Sequence, residues 1–340
     1  MKAMVLRAPS ELALDDVPSP QPGRDQVLIR VTNSGICGTD LKIYNGAIPV
    51  QYPRIMGHEM VGEVVEGSDG ERVRPGDRVL VDPVLFCGVC LLCQAGRSNL
   101  CPHGALIGRD ANGGFAEYVT VPRHHVFPLP ESIDSQTAPL IQVLTTCLHA
   151  QRLANIFPGE SVVVFGLGVT GQLHVQLAKA RGAYPVIGIT RSAWKRELAE
   201  KLGADLTMPP GEDAIRTVVE ATNGRGADLI IESSSVVQSI ADSISMARLG
   251  ARLLLFGLTT AREGALPFYQ LYFKELTLIN ARAAKNEDYP PSIDLVRRGV
   301  VQLKPLVSHV VSLAELGTAI GMLKSETNRC MKIVLENTAR

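Results

Sequence analysis

The 340-residue sequence carries no surplus of either charge: 34 lysines and arginines balance 34 aspartates and glutamates. That balance argues against a broad surface for nucleic acid or anionic membrane, because both bind through clustered cations. The sequence also lacks any apolar run near the roughly 20 residues that span a bilayer. Its start, MKAMVLRAPSELALDD, meets acidic residues too early to form the apolar core of a secretion signal. It has no internal repeat and no low-complexity segment. These absences leave a cytoplasmic protein, with neither nucleic acid nor membrane as partner, as the expectation. What is present is ordinary for a folded chain. Hydrophobic residues make up 46% and charged residues 20%, enough to bury normal cores, and the length favours two domains over one.

The seven cysteines are unevenly placed. Cys87, Cys90, Cys93 and Cys101 form C-x2-C-x2-C-x7-C. Without a secretion signal, such crowding points to a metal rather than a disulfide framework. Four thiolates close a tetrahedral zinc site and leave no open position, so the expected role is structural. An iron–sulfur cluster is one alternative. A zinc module for nucleic acid is another, but Arg97 is the single basic residue between the thiols, too little for phosphate binding.

A second concentration of chemistry lies between Gly35 and Glu59, GICGTDLKIYNGAIPVQYPRIMGHE. Thiol, imidazole and carboxylate are the ligand types of zinc, and a catalytic site uses three protein ligands with one position open. Cys37, His58 and Glu59 are the candidates. Adjacent His and Glu point apart on a regular strand, and Gly57 before them permits the irregular backbone that would bring both to one ion. Asp40 is the candidate partner for the other ring nitrogen of His58.

Around these motifs, residues 1–34 and the runs MVGEVVEG, RVRPGDRVLVDP, GGFAEYVTVP and HHVFPLP alternate Val-rich segments with Gly, Pro and Asp. They predict a β-rich, barrel-like domain. His124 and His125 read as edge or surface residues rather than ligands. Residues 133–154 predict a helix, and FPGE a turn.

From Glu160 the pattern alternates strand and helix: SVVVFGLG, VTGQLHVQLAKARG, PVIGIT, SAWKRELAEKLGA, then ADLIIES, ARLLLFG and ELTLINAR. That spacing predicts βαβ units and a parallel sheet. Gly166, Gly168, Val169, Thr170 and Gly171 lie in a G-x-G-x-x-G that follows a strand and opens a helix, the context a dinucleotide site needs. The end of the second strand reads Thr190-Arg191-Ser192, with Lys195 one turn later. The carboxylate that would hold the ribose hydroxyls of NAD is missing, and a guanidinium suited to a 2′-phosphate is present. NADP(H) is therefore expected over NAD(H).

Taken together, GICGTD at 35–40, GHEMVGEVVE at 57–66, the cysteine lobe ending NLCP, GGFAEYVTVP at 113–122 and GLGVTG at 166–171 resemble the medium-chain zinc-dependent alcohol and polyol dehydrogenases over essentially the whole chain. LPFYQLYFKELTLINAR resembles the threonine and sorbitol dehydrogenase branch. The resemblance implies an α/β architecture. A GroES-like β-rich catalytic domain is expected over 1–150, with a structural zinc lobe at 85–103. A Rossmann doubly wound parallel sheet follows at 151–285, and 286–340 return to the catalytic domain. It further implies catalytic zinc at Cys37, His58 and Glu59, structural zinc at the four cysteines, and proton relay by Thr39. The implied reaction is hydride transfer between the nicotinamide and a secondary alcohol, polyol or matching ketone, in a homodimer or homotetramer.

Two residues depart from the family's pattern. Gln142 stands where relatives often have Glu or Cys. With Cys37 and Glu59 ionised, zinc would already be charge-balanced, so Gln142 is expected to orient water or substrate, with ligation as the alternative. Lys42 stands where threonine dehydrogenases have His, which argues against threonine as substrate. An NAD-dependent threonine- or sorbitol-type enzyme, a zinc-free quinone or enone reductase on the same fold, and a non-enzymatic zinc-containing regulator are the rival readings.

Overall fold

The computed structural model describes residues 1–67, 73–324 and 329–337. The chain divides into two units. One comprises Met1–Thr145, Ala284–Arg298 and Leu303–Arg340; the other comprises Thr146–Ala283 and Gly299–Gln302.

The first unit is built around the strand Gln26–Gly35, whose Val27, Ile29 and Val31 are buried. It pairs antiparallel with Glu59–Glu66, Tyr118–Pro122 and the closing strand Lys332–Glu336. Beyond Glu59–Glu66 lie Arg78–Val81 and Val126–Pro128, and beyond Lys332–Glu336 lies Val307–Ser312. β-Branched side chains fill this interior, with Val64, Val79, Val81, Val119 and Val121 packed against the central strand's own. Such residues fit a pleated, half-buried surface. The pairing has a consequence for function. Gly35 sits opposite Glu59 on one strand and opposite Val334 on another, so the two ends of the unit's sequence meet where Cys37 begins the next helix.

Two sequence expectations are corrected in this unit. The helix expected over 133–154 spans Leu140–Ala154. Pro139 lacks an N–H and its ring disfavours helical backbone at Ala138, so the preceding residues form turns instead. His125 is not at an edge or surface. It is fully buried, its ring 4.9 Å from Phe86 and its Nδ1 3.5 Å from Asp82. The 3-10 turn Arg123–His125 rotates successive side chains by about a third of a turn, so His124 stays exposed while its neighbour points inward.

The second unit is a six-stranded parallel sheet. Its spatial order is Leu206–Met208, Val186–Ile189, Val162–Phe165, Ala227–Glu232, Ala247–Leu255, Thr277–Asn280. Counted along the chain this is 3-2-1-4-5-6, the Rossmann order. Val162–Phe165 and Ala227–Glu232 are buried along their whole length, as expected of strands covered on both faces. Among the described residues no helix is long and apolar enough to cross a membrane.

Candidate metal centres and dinucleotide site

Cys37 precedes the helix Gly38–Tyr44 as its N-cap. Its backbone N–H donates to Asp40 Oδ2 at 2.8 Å, while the other Asp40 oxygen lies 3.2 Å from His58 Nδ1. Asp40 is fully buried. One carboxylate therefore holds the turn that presents the thiol and lies beside the ring of His58. His58 follows Gly57, which has φ +95° and whose Cα lies so close to the Phe115 ring that an added Cβ would meet it at 2.5 Å. Only glycine fits this turn, and the turn lets adjacent His58 and Glu59 approach one point. One ligand atom from each of Cys37, His58 and Glu59 falls within 4.8 Å of the other two. Burial opposes a charged imidazole, but the Asp40 carboxylate and the Cys37 sulfur outweigh it and hold His58 well above its ordinary value.

Glu59 is fully buried and ion-paired with Lys332, itself 4% exposed, whose ammonium also donates to Ile36 O at 2.9 Å. Glu59 Oε1 is buried without a hydrogen-bond partner. A buried acceptor of this kind is costly unless something fills it. Thiol, imidazole and an unpartnered carboxylate oxygen are a donor set that fits zinc. Lys332 went unrecognised in the sequence, although a lysine opening the apolar strand KIVLE is its signal. It revises the charge argument about Gln142. The Glu59 charge is already matched by Lys332, so charge balance at the ion no longer speaks against an amide ligand. Gln142 is buried, and in the same unit the Tyr289 hydroxyl donates to Asp82 Oδ1 at 3.0 Å. Thr39 lies partly buried in the first turn of the helix after Cys37, and Lys42 is partly buried one turn on.

The four lobe cysteines converge. Cys87 Sγ lies 3.6 Å from Cys101 Sγ and 4.0 Å from Cys93 Sγ, and Cys90 Sγ lies 3.9 Å from Cys101 Sγ. Sulfurs at the corners of a tetrahedron with zinc–sulfur bonds of about 2.3 Å stand about 3.8 Å apart. The sulfurs therefore fit that ion. The backbone N–H groups of Val89 and Cys90 lower the Cys87 thiol to about 6, which favours the thiolate a metal needs.

In the second unit the glycine-rich loop leaves Val162–Phe165 and enters the helix Val169–Ala180. Gly166 has φ +90°, and a Cβ on Gly171 would lie 1.9 Å from Gly166 O. The tight turn and the close helix–strand approach therefore both depend on the missing side chains. Nothing lies within 4 Å of the Cβ position of Gly168, leaving room for a pyrophosphate at the helix N-terminus. Sequence reasoning missed Glu232. At the end of Ala227–Glu232, its buried carboxylate accepts from Ser234 N at 2.8 Å and Ser239 Oγ at 2.7 Å. This ties down the loop beside the glycine turn, where Ser233 Oγ meets Thr170 Oγ1 at 2.6 Å. The serine run directly after an apolar strand was the available signal. Thr190 and Arg191 follow Val186–Ile189, with Arg191 exposed and the Lys195 ammonium 5.4 Å from the centre of the Trp194 ring.

Residues 23–131 match the model of the alcohol dehydrogenase GroES-like domain, and residues 169–298 that of the zinc-binding dehydrogenases. The chain is 37% identical over 309 residues to an L-threonine 3-dehydrogenase of Pyrococcus abyssi, covering 88% of this chain and 87% of that one. It is 32% identical over 341 residues to a sorbitol dehydrogenase of Halalkalibacterium halodurans, covering 98% and 99%. A crystal structure of a zinc-binding dehydrogenase from Sinorhizobium meliloti bound to NADP superposes with a TM-score of 0.93, 34% identity and 99% coverage of both chains. Both NADP and NADH occur as bound cofactors among the solved structures it resembles.

Proposed function

This chain belongs to the zinc-dependent medium-chain alcohol and polyol dehydrogenase family, and on that premise we propose that it transfers hydride between NADP(H) and a secondary alcohol or polyol, or the matching ketone. The observation that carries this reading is the convergence of Cys37, His58 and Glu59 around an unpartnered buried carboxylate oxygen. When bound, zinc supplies a Lewis acid for the substrate oxygen and the nicotinamide supplies the hydride carrier.

The chain's own residues do the rest. Cys37, His58 and Glu59 hold the ion, and Asp40 orients His58. Glu59 is paired through Oε2 with Lys332 and would offer its unpartnered Oε1 to the metal. Thr39 passes on the hydroxyl proton. The buried Gln142 amide orients water or substrate. The second zinc is structural, at Cys87, Cys90, Cys93 and Cys101.

Gly166, Gly168, Val169, Thr170 and Gly171 carry the pyrophosphate. Thr190, Arg191 and Lys195 take the 2′-phosphate, because a guanidinium binds it through two parallel hydrogen bonds and no carboxylate repels it. Lys42 in place of the threonine enzymes' histidine disfavours threonine, since it lacks the imidazole that serves as a proton shuttle near neutral pH. Thiols arranged for metal with no disulfide suit a reducing compartment, the cytoplasm.

The molecule assembles with copies of itself through the strand Thr277–Asn280 and the helix Phe268–Phe273. A panel of secondary alcohols and polyols with NADP⁺, run on protein of measured zinc content, tests the reading. Turnover that disappears in Cys37→Ser while the fold persists supports it. Full turnover in zinc-depleted protein, or none with any member of the panel, contradicts it.

A further inference from the structure

Arg196 stands one turn into the helix Ala193–Lys201 and reaches back past its start. Its Nη1 donates to two successive backbone carbonyls, Thr190 O at 2.9 Å and Arg191 O at 2.8 Å. These belong to the residues assigned above to the ribose end of the cofactor. The two peptide bonds concerned are trans, since the cis bonds among the described residues are Tyr52–Pro53 and Tyr184–Pro185. In a planar trans peptide the carbonyl and the next N–H point in opposite directions. Drawing both carbonyls onto one guanidinium therefore turns the N–H groups of Arg191 and Ser192 the other way. Released, either carbonyl could rotate toward a bound phosphate, and two acceptors would face each other.

We propose that Arg196 is a positioning residue for cofactor discrimination. It clamps the carbonyls of Thr190 and Arg191 and so presents the following N–H groups, with the hydroxyls of Thr190 and Ser192, to a ribose 2′-phosphate. The inference rests on the NADP(H) reading above. It differs from a direct ionic role, because Nη1 of the guanidinium is engaged with the two carbonyls and the effect passes through the shape of the loop. Lys195, whose ammonium lies near the Trp194 ring, keeps the direct phosphate contact assigned to it above.

The test is calorimetric binding of adenosine 2′,5′-bisphosphate and of 5′-AMP to the full-length zinc-loaded protein, comparing the unmodified chain with Arg196→Met and Arg196→Lys. Arg196→Met keeps the stem but has no donor. It should weaken the bisphosphate about tenfold while 5′-AMP changes less than about twofold. The gap should persist in about 0.5 M salt, where long-range charge is screened. Arg196→Lys, which keeps charge without the planar fork, should lose less in the same direction, with thermal midpoints near that of the unmodified chain. Equal weakening of both ligands, a gap that closes in salt, or no change in either variant overturns the proposal. If the unmodified protein does not prefer the bisphosphate over 5′-AMP, the NADP(H) reading itself fails and the proposal falls with it. That outcome is visible before any variant is measured.

Discussion

The ammonium of Lys332, buried beside Glu59, sets the electrostatics of the proposed catalytic metal centre. Removing one partner of a buried ion pair leaves the other charge uncompensated and costs about 3–5 kcal/mol. Lys332→Ala should therefore lower the unfolding midpoint, and the loss should be larger in chelator-treated protein, where no zinc takes over the Glu59 charge. An unchanged midpoint with and without chelator would show that the pair does not matter. At this scale the sequence was legible where chemistry is local. Cys37, Asp40, His58 and Glu59 lie within one stretch, and their types and the preceding Gly57 disclosed them. Lys332 was not, because its partner is reached only once the closing strand Lys332–Glu336 lies against Gln26–Gly35. His125 was misjudged for a related reason: residue type and hydropathy do not report which side of a 3-10 turn faces the interior.

Among the elements, the cysteine lobe was the most readable, since a spacing of four thiols constrains geometry with little help from the rest of the fold. Such a lobe has short helices, Leu91–Gln94 and Ser98–Leu100, and a two-residue strand pair, Val84–Leu85 with Ala105–Leu106, to hold it, so metal binding and local folding are one event. Cys93→Ser should remove one zinc per chain and lower thermal stability, while turnover per remaining folded molecule changes little. Cys37→Ser should do the reverse: turnover is lost and most stability kept. Zinc content and melting measured on both variants check this, and a Cys93→Ser protein with full zinc and an unmoved midpoint would refute the structural role. The glycine-rich turn was equally legible, because its glycines are demanded by contacts within the loop itself. The start of the helix Leu140–Ala154 was not, since its apolar pattern ran on through residues where Pro139 forbids helix. The serine cage around Glu232 required knowing that a strand end and a following helix face one carboxylate.

For the whole molecule, the parallel sheet ends in Thr277–Asn280, which pairs on one side with Ala247–Leu255 and on the other with no strand among the described residues. Beside it in sequence, the helix Phe268–Phe273 exposes Phe268, Tyr269, Tyr272 and Phe273 by 63–86%. A bare edge with exposed aromatics nearby is the kind of surface that proteins cover. A second copy of this chain is the occupant we propose. Light scattering should give a dimer or tetramer, and Tyr272→Glu together with Leu278→Lys should shift it toward monomer; a monomeric unmodified chain would end this reading.

The central claim is narrower and binary: an NADP(H)-preferring zinc-dependent dehydrogenase in which Arg191 reads the phosphate. One charge-assisted hydrogen bond contributes about 1.5–3 kcal/mol, so kcat/KM with NADP⁺ should exceed that with NAD⁺ by at least about tenfold on the best alcohol of the panel. Arg191→Ala should erase most of that margin by weakening NADP⁺ alone. The measurement that tests the account most directly is this ratio in the unmodified protein. A ratio of about ten or more is predicted, and equal or better efficiency with NAD⁺ would contradict it.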